Sequence, residues 1–292
     1  MTDLEQVSIE RIKAAAKMSK QVYKQPLICT YSGGKDSEVL LDLFLKSGVR
    51  FEALHNHTTA DAPETVYHIR KRFRELELKG IKATIEPPRY KGEPTSMWKL
   101  IPEQLMPPTR IARYCCKVLK ERGGSNRFIA TGVRWAESTK RQGRGIYETV
   151  GAQRKDAIIL NNDNDDKRLL FENCRLKAKR VVNPIIDWSD KNIWDYVYSE
   201  HLDLNPLYGC GYNRVGCIGC PMANKERFTQ FARYPKYEQM YKRAFERMLE
   251  VRREKGLTEE RKWGKTAEDV FHWWMEDGVL PGQMEMNFEV EE

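Results

Sequence analysis

The stretch Leu27-Ile28-Cys29-Thr30-Tyr31-Ser32-Gly33-Gly34-Lys35-Asp36-Ser37 constrains this chain more than any other. A short apolar run leads into small residues, and Val39, Leu40, Leu41, Leu43 and Phe44 then recur at helical spacing. That order predicts a strand, a tight loop and a helix. Gly33 and Gly34 leave the loop without Cβ atoms and can take positive φ. The N–H groups of such a loop converge on an anion at the open N-terminus of the following helix. Ser32, Lys35 and Ser37 add hydroxyl and ammonium donors around Asp36. The spacing differs from the Walker A loop, which sets four residues between its first glycine and Gly-Lys-[Ser/Thr].

The flanking segments extend the same pattern. Leu4 to Tyr23 reads as an amphipathic helix. Residues 51–57 predict a second strand, and Pro63-Glu64-Thr65 opens a helix that runs to about Leu78. Residues 81–86 predict a third strand, 127–133 a fourth and 181–185 a fifth. Strands alternating with helices predict an α/β fold, a doubly wound and mainly parallel five-stranded sheet with right-handed crossovers. Residues 112–121 read as helical. Residues 157–160 and 168–171 are expected to pair as a hairpin. Asp187 or Ser189 caps a helix through Ile193, Trp194, Tyr196 and Val197.

Beyond Pro221 the composition shifts. Lys225 to Lys255 and Lys265 to Asp277 combine charge and aromatics at helical spacing. They predict a C-terminal helical extension that packs Phe228, Phe231, Tyr237, Tyr241, Phe245, Met248, Trp263, Phe271, Trp273 and Trp274. The expected organisation is therefore a nucleotide-binding α/β domain over residues 1–221 and a helical extension over 222–292.

Composition narrows the setting. Among 292 residues, 40% are hydrophobic, enough for a core, yet no apolar run approaches membrane-spanning length. The acidic start, Met1-Thr2-Asp3-Leu4-Glu5, lacks an apolar signal core, so a cytoplasmic location without membrane contact is expected. The net charge of +8 suits a polyanionic partner, nucleotide or nucleic acid. Acidic and basic residues alternate along most helices, so solvated faces account for most of that charge. Seven cysteines without a signal segment read as thiols or ligands and not as a disulfide framework.

Four of those cysteines form a second constellation. Cys115-Cys116 and Cys217-Ile218-Gly219-Cys220 are separated by residues 117–216. A Cys-x-x-Cys pair places two thiolates on one metal centre, and a distant pair completes four ligands. Adjacent cysteines diverge around a single tetrahedral ion, whereas a cubane offers separate iron corners. The spacing leans to iron–sulfur over zinc, with a redox Cys-x-x-Cys pair or buried thiols as the remaining readings. Gly216, Gly219 and Pro221 favour a tight ligand loop.

The Ser32–Ser37 string resembles the PP-loop of the adenine nucleotide alpha hydrolase-like superfamily. Further strings narrow the resemblance. Cys-Cys followed at distance by Cys-x-x-Cys, Gly132-Val133-Arg134-Trp135-Ala136-Glu137-Ser138 with Arg141, and Asp61-Ala62-Pro63-Glu64-Thr65 are similar to the phosphoadenosine phosphosulfate (PAPS) reductase family. The resemblance implies that Ser32, Gly33, Gly34, Lys35, Asp36 and Ser37 hold nucleotide phosphate or sulfate, together with Gly132, Arg134, Glu137 and Ser138. It implies that Arg134 and Arg141 add guanidinium contacts to the anion. It implies that Cys115, Cys116, Cys217 and Cys220 ligate a [4Fe–4S] cluster.

One departure reshapes the implied activity. Reductases of this family use a cysteine in a C-terminal Glu-Cys-Gly-[Leu/Ile]-His motif, and no cysteine follows Cys220 here. Cys29 reads as a buried small residue, Cys174 lies in a basic segment, and Cys210, between two glycines, is the best spare reactive thiol. The expected catalytic set is Lys35, Asp36, Arg134, Arg141 and Cys210. The implied reaction is cleavage of ATP at its α-phosphate, with Mg²⁺ and pyrophosphate release, as hydrolase or transferase in sulfur transfer, with nucleic acid as a candidate acceptor. Three alternatives stand beside it: a PAPS or adenosine phosphosulfate (APS) reductase with a displaced cysteine, a tRNA thiolation enzyme, and a non-catalytic nucleotide-binding subunit. That subunit would dock in a larger defence or modification complex through its basic and C-terminal helical surfaces.

Overall fold

The computed structural model describes residues 3–150, 159–160, 179–257 and 263–276. The chain opens with α1 (Asp3–Val22), β1 (Leu27–Thr30), α2 (Lys35–Ser47), β2 (Phe51–Asn56), α3 (Pro63–Leu78) and β3 (Ala83–Glu86). A short ribbon of β4 (Arg89–Tyr90) and β5 (Glu93–Pro94) follows, then α4 (Met97–Gln104) and β6 (Phe128–Ala130). Next come α5 (Thr139–Gln142), β7 (Tyr147–Val150), β8 (Ile159–Leu160), β9 (Lys179–Val182) and α6 (Asp190–Ser199). The last helices are α7 (Glu226–Arg233), α8 (Pro235–Glu254) and α9 (Ala267–Met275). No described helix is long and apolar enough to cross a membrane.

These elements fall into two compact units. The first gathers residues 1–57, 62–86 and 122–215. Its sheet runs β3-β2-β1-β6-β9-β7-β8. Five strands, β3, β2, β1, β6 and β9, run parallel to one another, overlapping the five places the sequence predicts. The strands at the sheet centre are buried on both faces, which is why they read as continuous apolar runs. Leu27 and Cys29 are fully buried on β1, where Cys29 pairs with Ala53 on one side and Ala130 on the other. β7 adds an antiparallel strand that the sequence did not predict, and it pairs with β8, which lies within the expected strand run 157–160. The expected hairpin of 157–160 with 168–171 lies outside the described residues.

The strand order reverses beside β1, with β2 on one side and β6 on the other. Open α/β sheets bind ligands beyond the carboxyl ends of their strands at such a switch point. The Ser32–Ser37 loop leaves β1 at that end, and Gly132 follows β6.

The second unit gathers residues 58–61, 87–121 and 216 onward, rather than beginning at a single boundary after residue 221. Its backbone is α8, which packs against α4, α7 and α9. Tyr241, Phe245 and Met248 recur on one buried face of α8. Trp274 of α9 meets that face, with its ring 4.6 Å from Tyr241 and 5.4 Å from Phe245. Fully burying each such side chain is worth roughly 1.5–3 kcal/mol. The expected run 225–255 divides at Tyr234, where Pro235 begins α8 at a position that needs no N–H donor. Phe228, expected in this core, is 57% exposed on α7. The helix predicted over 112–121 narrows to residues 114–120 and widens to a π-turn over Cys116–Lys120, where the Glu121 N–H donates to the Cys116 carbonyl, five residues back, at 3.1 Å.

Arg227 explains how α9 ends. It is fully buried, donates to the carbonyls of Trp274 at 2.8 Å and Met275 at 3.0 Å, and lies over the Trp274 ring. Those are last-turn carbonyls without helical partners. Arg227→Leu leaves both buried and unsatisfied, so it is expected to destabilise the second unit by about 2–4 kcal/mol. Urea unfolding followed by tryptophan fluorescence measures this.

Candidate functional site

The phosphate loop lies within the first unit. Gly33 adopts φ 76°, and a Cβ there would stand 3.0 Å from Ile69 and 3.3 Å from Thr65 on α3. Only glycine meets both the left-handed backbone and the close helix. The Ser37 hydroxyl donates to the Gly34 carbonyl at 2.7 Å and accepts the Ser32 N–H at 3.2 Å, and the Ser32 hydroxyl is also 3.2 Å away. The two serines therefore close the loop on itself. Gly132 packs on the first turn of α2, where a Cβ would stand 3.1 Å from the Asp36 carbonyl oxygen.

The two arginines of the 132–141 segment are held by carboxylates of the same unit. Arg134 is 1% exposed. Its Nε donates to Asp36 Oδ1 at 2.6 Å, Nη2 to Asp190 Oδ1 at 2.7 Å and Nη1 to the Trp188 carbonyl at 3.1 Å. Arg134 thus ties the loop, through Asp36, to the start of α6. Arg141 pairs with Glu137, whose carboxylate also accepts the Arg134 N–H at 3.0 Å. Ser138 stands at the N-cap position of the one-turn α5 without a side-chain capping bond. Lys35 is mostly buried, with Nζ 3.4 Å from Asp36 and 5.9 Å from the centre of the Trp194 ring.

Three further groups shape the loop and carry no sequence signature. Asn205, 2% exposed, donates from its amide to the Gly33 carbonyl at 3.3 Å and to Thr65 at 3.0 Å. The Tyr208 hydroxyl accepts the Lys35 N–H at 2.9 Å. Burial pushes the Tyr208 phenol up to about 12, although the Lys35 and Val215 N–H groups favour its ionised form. Behind the loop, the buried Glu38 carboxylate accepts from the Tyr31 hydroxyl and from Arg72 at 2.6 Å, and His68 Nε2 lies 2.9 Å from the Tyr31 oxygen. Burial and the Glu38 charge hold the Tyr31 phenol well above its ordinary range. This network joins the end of β1 to α2 and α3.

All four cysteines of the second constellation lie in the second unit. Cys217 pairs with Asp61 as an isolated bridge, and its thiol donates to the Thr58 hydroxyl at 3.4 Å. Gly219 has φ 71° and donates its N–H to Gln230 at 2.9 Å. The Tyr241 hydroxyl donates to the Ile218 carbonyl at 2.9 Å. These bonds hold the Cys217–Cys220 turn against α7 and α8. A Cβ on Gly219 would stand 2.4 Å from the Phe231 ring and 3.0 Å from Tyr241. Gly219→Ala combines left-handed strain with overpacking, for an expected loss of about 2–5 kcal/mol. Thermal unfolding by circular dichroism checks it.

The thiols sit in an electrostatically uneven setting. A hydrogen bond from Cys115 lowers Cys116 to about 5, and Arg113 Nη2, 3.5 Å from its sulfur, and Lys120 act in the same direction. The Cys116 sulfur raises Cys115. Burial raises Cys217 to about 11, opposed by the Lys120 ammonium. Lys120 is itself held protonated, chiefly by the charge of Cys217 and then by Asp61. Lys120 and Arg113 were not singled out from the sequence, although Lys120 follows Cys116 by four residues, one turn along the chain.

The donor set fits a polynuclear thiolate centre. Four thiols belong to one compact unit, with two cationic side chains to offset thiolate charge. Among the described residues no three of these sulfurs lie within 4.8 Å of one another. A single tetrahedral zinc needs sulfurs about 3.8 Å apart, from bonds of about 2.3 Å. An iron–sulfur cubane spreads its ligands over four corners.

The other cysteines are dispersed. Cys29 is fully buried, and its thiol is raised by burial. Cys210 is exposed on the short turn Tyr208–Cys210, two residues from the tyrosine that touches Lys35. Cys174 lies outside the described residues.

A model of the phosphoadenosine phosphosulfate reductase domain matches residues 26–223. The chain belongs to this family. It is 26% identical over 222 residues to an uncharacterized protein of Methanocaldococcus jannaschii, covering 75% of this chain and 41% of that protein. The chain thus spans less than half the length of that relative. It is 24% identical over 209 residues to the adenosine 5'-phosphosulfate reductase of Staphylococcus epidermidis, covering 70% of this chain and 74% of the reductase. Among solved structures, the PAPS reductase of Candida auris in its phosphate complex aligns with TM-score 0.43 and 14% identity, over 74% of this chain and 96% of that one. The PAPS reductase family places the loop, the 132–141 segment and the four cysteines in one matched region.

Proposed function

We propose that this PAPS reductase family member binds an adenine nucleotide at the Ser32–Ser37 loop and cleaves it at the α-phosphate. The observation that carries this reading is Gly33, whose left-handed backbone packs on α3 and aims the loop at the start of α2 beside the strand-order switch. An acceptor oxygen bonds to the α-phosphorus of ATP, the bond to the bridging oxygen breaks, and pyrophosphate leaves. The loop N–H groups and the Lys35 ammonium hold phosphate oxygens, and Mg²⁺ screens their charge. Asp36 acts between its neighbours: one carboxylate oxygen takes Arg134, and the other orients Lys35. Arg134 and Glu137 therefore support the loop from behind.

Cys115, Cys116, Cys217 and Cys220 would hold a [4Fe–4S] cluster, with Arg113 and Lys120 balancing its charge. When bound, the cluster supplies iron–sulfur chemistry for sulfur transfer. Anaerobically prepared protein, incubated with ATP, Mg²⁺ and candidate acceptors including nucleic acid and tRNA, is expected to release AMP and pyrophosphate. Lys35→Ala is expected to lower that release at least tenfold. Absence of both products with every acceptor sinks the reading.

A second reading is favoured by Cys210, an exposed thiol on the turn whose Tyr208 touches Lys35. It would serve as the nucleophile of a sulfonucleotide reductase, as the APS reductase relatives suggest. Sulfite release from APS or PAPS with a thiol reductant, lost in Cys210→Ser, supports it. Retention of sulfite release in that variant removes Cys210 from the role.

A further inference from the structure

The segment 205–212 forms an arch over the phosphate loop, within the first unit. Asn205 anchors it to Gly33 and Thr65, and its own Oδ1 accepts the Leu207 N–H at 3.1 Å. Leu207 is 2% exposed, and its carbonyl accepts the N–H groups of Cys210 at 3.0 Å and Tyr212 at 3.2 Å. Gly211, at φ 83°, turns the chain back. This stapled turn directs one group at the loop, the Tyr208 hydroxyl. Trp194 braces that ring edge-on at 5.7 Å, and Lys35 lies over the same indole.

The position of the phenol oxygen is specific. It accepts the N–H of Lys35, the first residue of α2. The first N–H groups of a helix have no partner inside it and are the donors a phosphate recruits. A free helix-start N–H donating to this oxygen reproduces one contact of a bound phosphate oxygen. A phosphate that approaches Lys35 along the loop meets this hydroxyl already in place. The arch has room to yield, because a Cβ on Gly209 or Gly211 would meet nothing within 4 Å.

We propose that Tyr208 is an affinity-setting residue of the nucleotide site, its hydroxyl occupying the seat of a phosphate oxygen until the nucleotide displaces it. The inference rests on the nucleotide reading of the loop. The hydroxyl raises the threshold for binding: a ligand must replace its hydrogen bond to Lys35 before it gains that donor. A ligand offering a polyphosphate and a base can do so, whereas free sulfate or phosphate is disfavoured.

The test is Tyr208→Phe in the full chain, which keeps the ring against Trp194 and removes the oxygen. ATP and pyrophosphate titrations by calorimetry are expected to show roughly two- to tenfold tighter binding than wild type, the span of one net hydrogen bond. Hydrogen exchange read without ligand is expected to rise at the Lys35 amide in the variant. ATP is expected to raise exchange over 205–212 in wild type and to change it less in the variant. Tyr208→Leu, which also empties the ring's place, is expected to shift affinity in the same direction. Wild type and Tyr208→Phe binding ATP equally, or the variant binding more weakly, overturns the placeholder and leaves the nucleotide reading standing. If no form binds ATP or pyrophosphate, the nucleotide reading fails and the placeholder falls with it.

Discussion

Cys217→Ser is expected to reduce bound iron and sulfide to background and to lower the melting temperature of the second unit sharply. Cys217 is 6% exposed and lies at the centre of its surroundings: bridged to Asp61, bonded to Thr58, and followed by the left-handed Gly219 turn. Serine presents a shorter, harder and poorly ionised oxygen that holds cluster iron less firmly than thiolate. Metal-site free energy is folding free energy when the site does not exist in the unfolded chain. Losing one ligand of four therefore affects both loading and stability. The measurement is iron and sulfide per chain, the visible absorption of anaerobic protein, and thermal unfolding of the same sample. Cys210→Ser is the matched control, because that thiol is exposed and lies in the other unit. Its iron content is expected to equal that of wild type. Zinc without sulfide in wild-type protein, or full iron in Cys217→Ser, contradicts the assignment.

The parallel sheet was legible because burial on both faces leaves a mark that one chain carries locally. The runs from Leu27, over 51–57 and over 181–185 read as strands from the sequence and overlap the observed β1, β2 and β9, the last of which begins two residues earlier, at Lys179. The strand β7 was not, because Tyr147-Glu148-Thr149-Val150 alternates weakly and takes its partners from the fold. The cysteine pairs were legible by spacing. The composition of their unit was not, since α4 and α8 pack together although more than a hundred residues separate them, and apolar faces do not name their partners. Phe228 shows the same limit: it shares the spacing of buried neighbours, yet the break at Tyr234 leaves it on the outer side of α7.

The site followed a similar division. Ser32 to Ser37 announced a loop, and Gly33 has the positive φ that its position suggested. Asn205 and Tyr208 carried no signal, because a lone asparagine and tyrosine gain meaning only where the chain returns to the loop. Arg134 is the instructive case. An arginine near a phosphate loop reads as an anion contact, but its partners Trp188 and Asp190 lie more than fifty residues along the chain.

That geometry sets the second large expectation, for Arg134→Met. The substitution keeps the apolar stem and removes the guanidinium, leaving Asp36, 21% exposed, with the longer 3.4 Å bond from Lys35 and the buried Trp188 carbonyl without its Arg134 donor. Removing one member of a buried pair costs about 3–5 kcal/mol. Asp190, 66% exposed, regains water and offsets part of that loss. The expected destabilisation is about 3 kcal/mol, or roughly 6–12 °C for a unit of this size. Arg134→Lys is expected to fall between, because one ammonium cannot span both carboxylates and the carbonyl. The double variant Asp36→Asn with Arg134→Met is expected to be less destabilised than the sum of the two, since the two side chains act as a pair. Thermal unfolding of the four proteins measures the coupling, and ATP titration of the same samples separates the two roles open to Arg134. A support holding Asp36 and, through it, Lys35 predicts lost stability together with weakened binding. A direct anion ligand predicts lost binding with the melting temperature within about 2 °C of wild type, and that outcome would return Arg134 to the nucleotide itself.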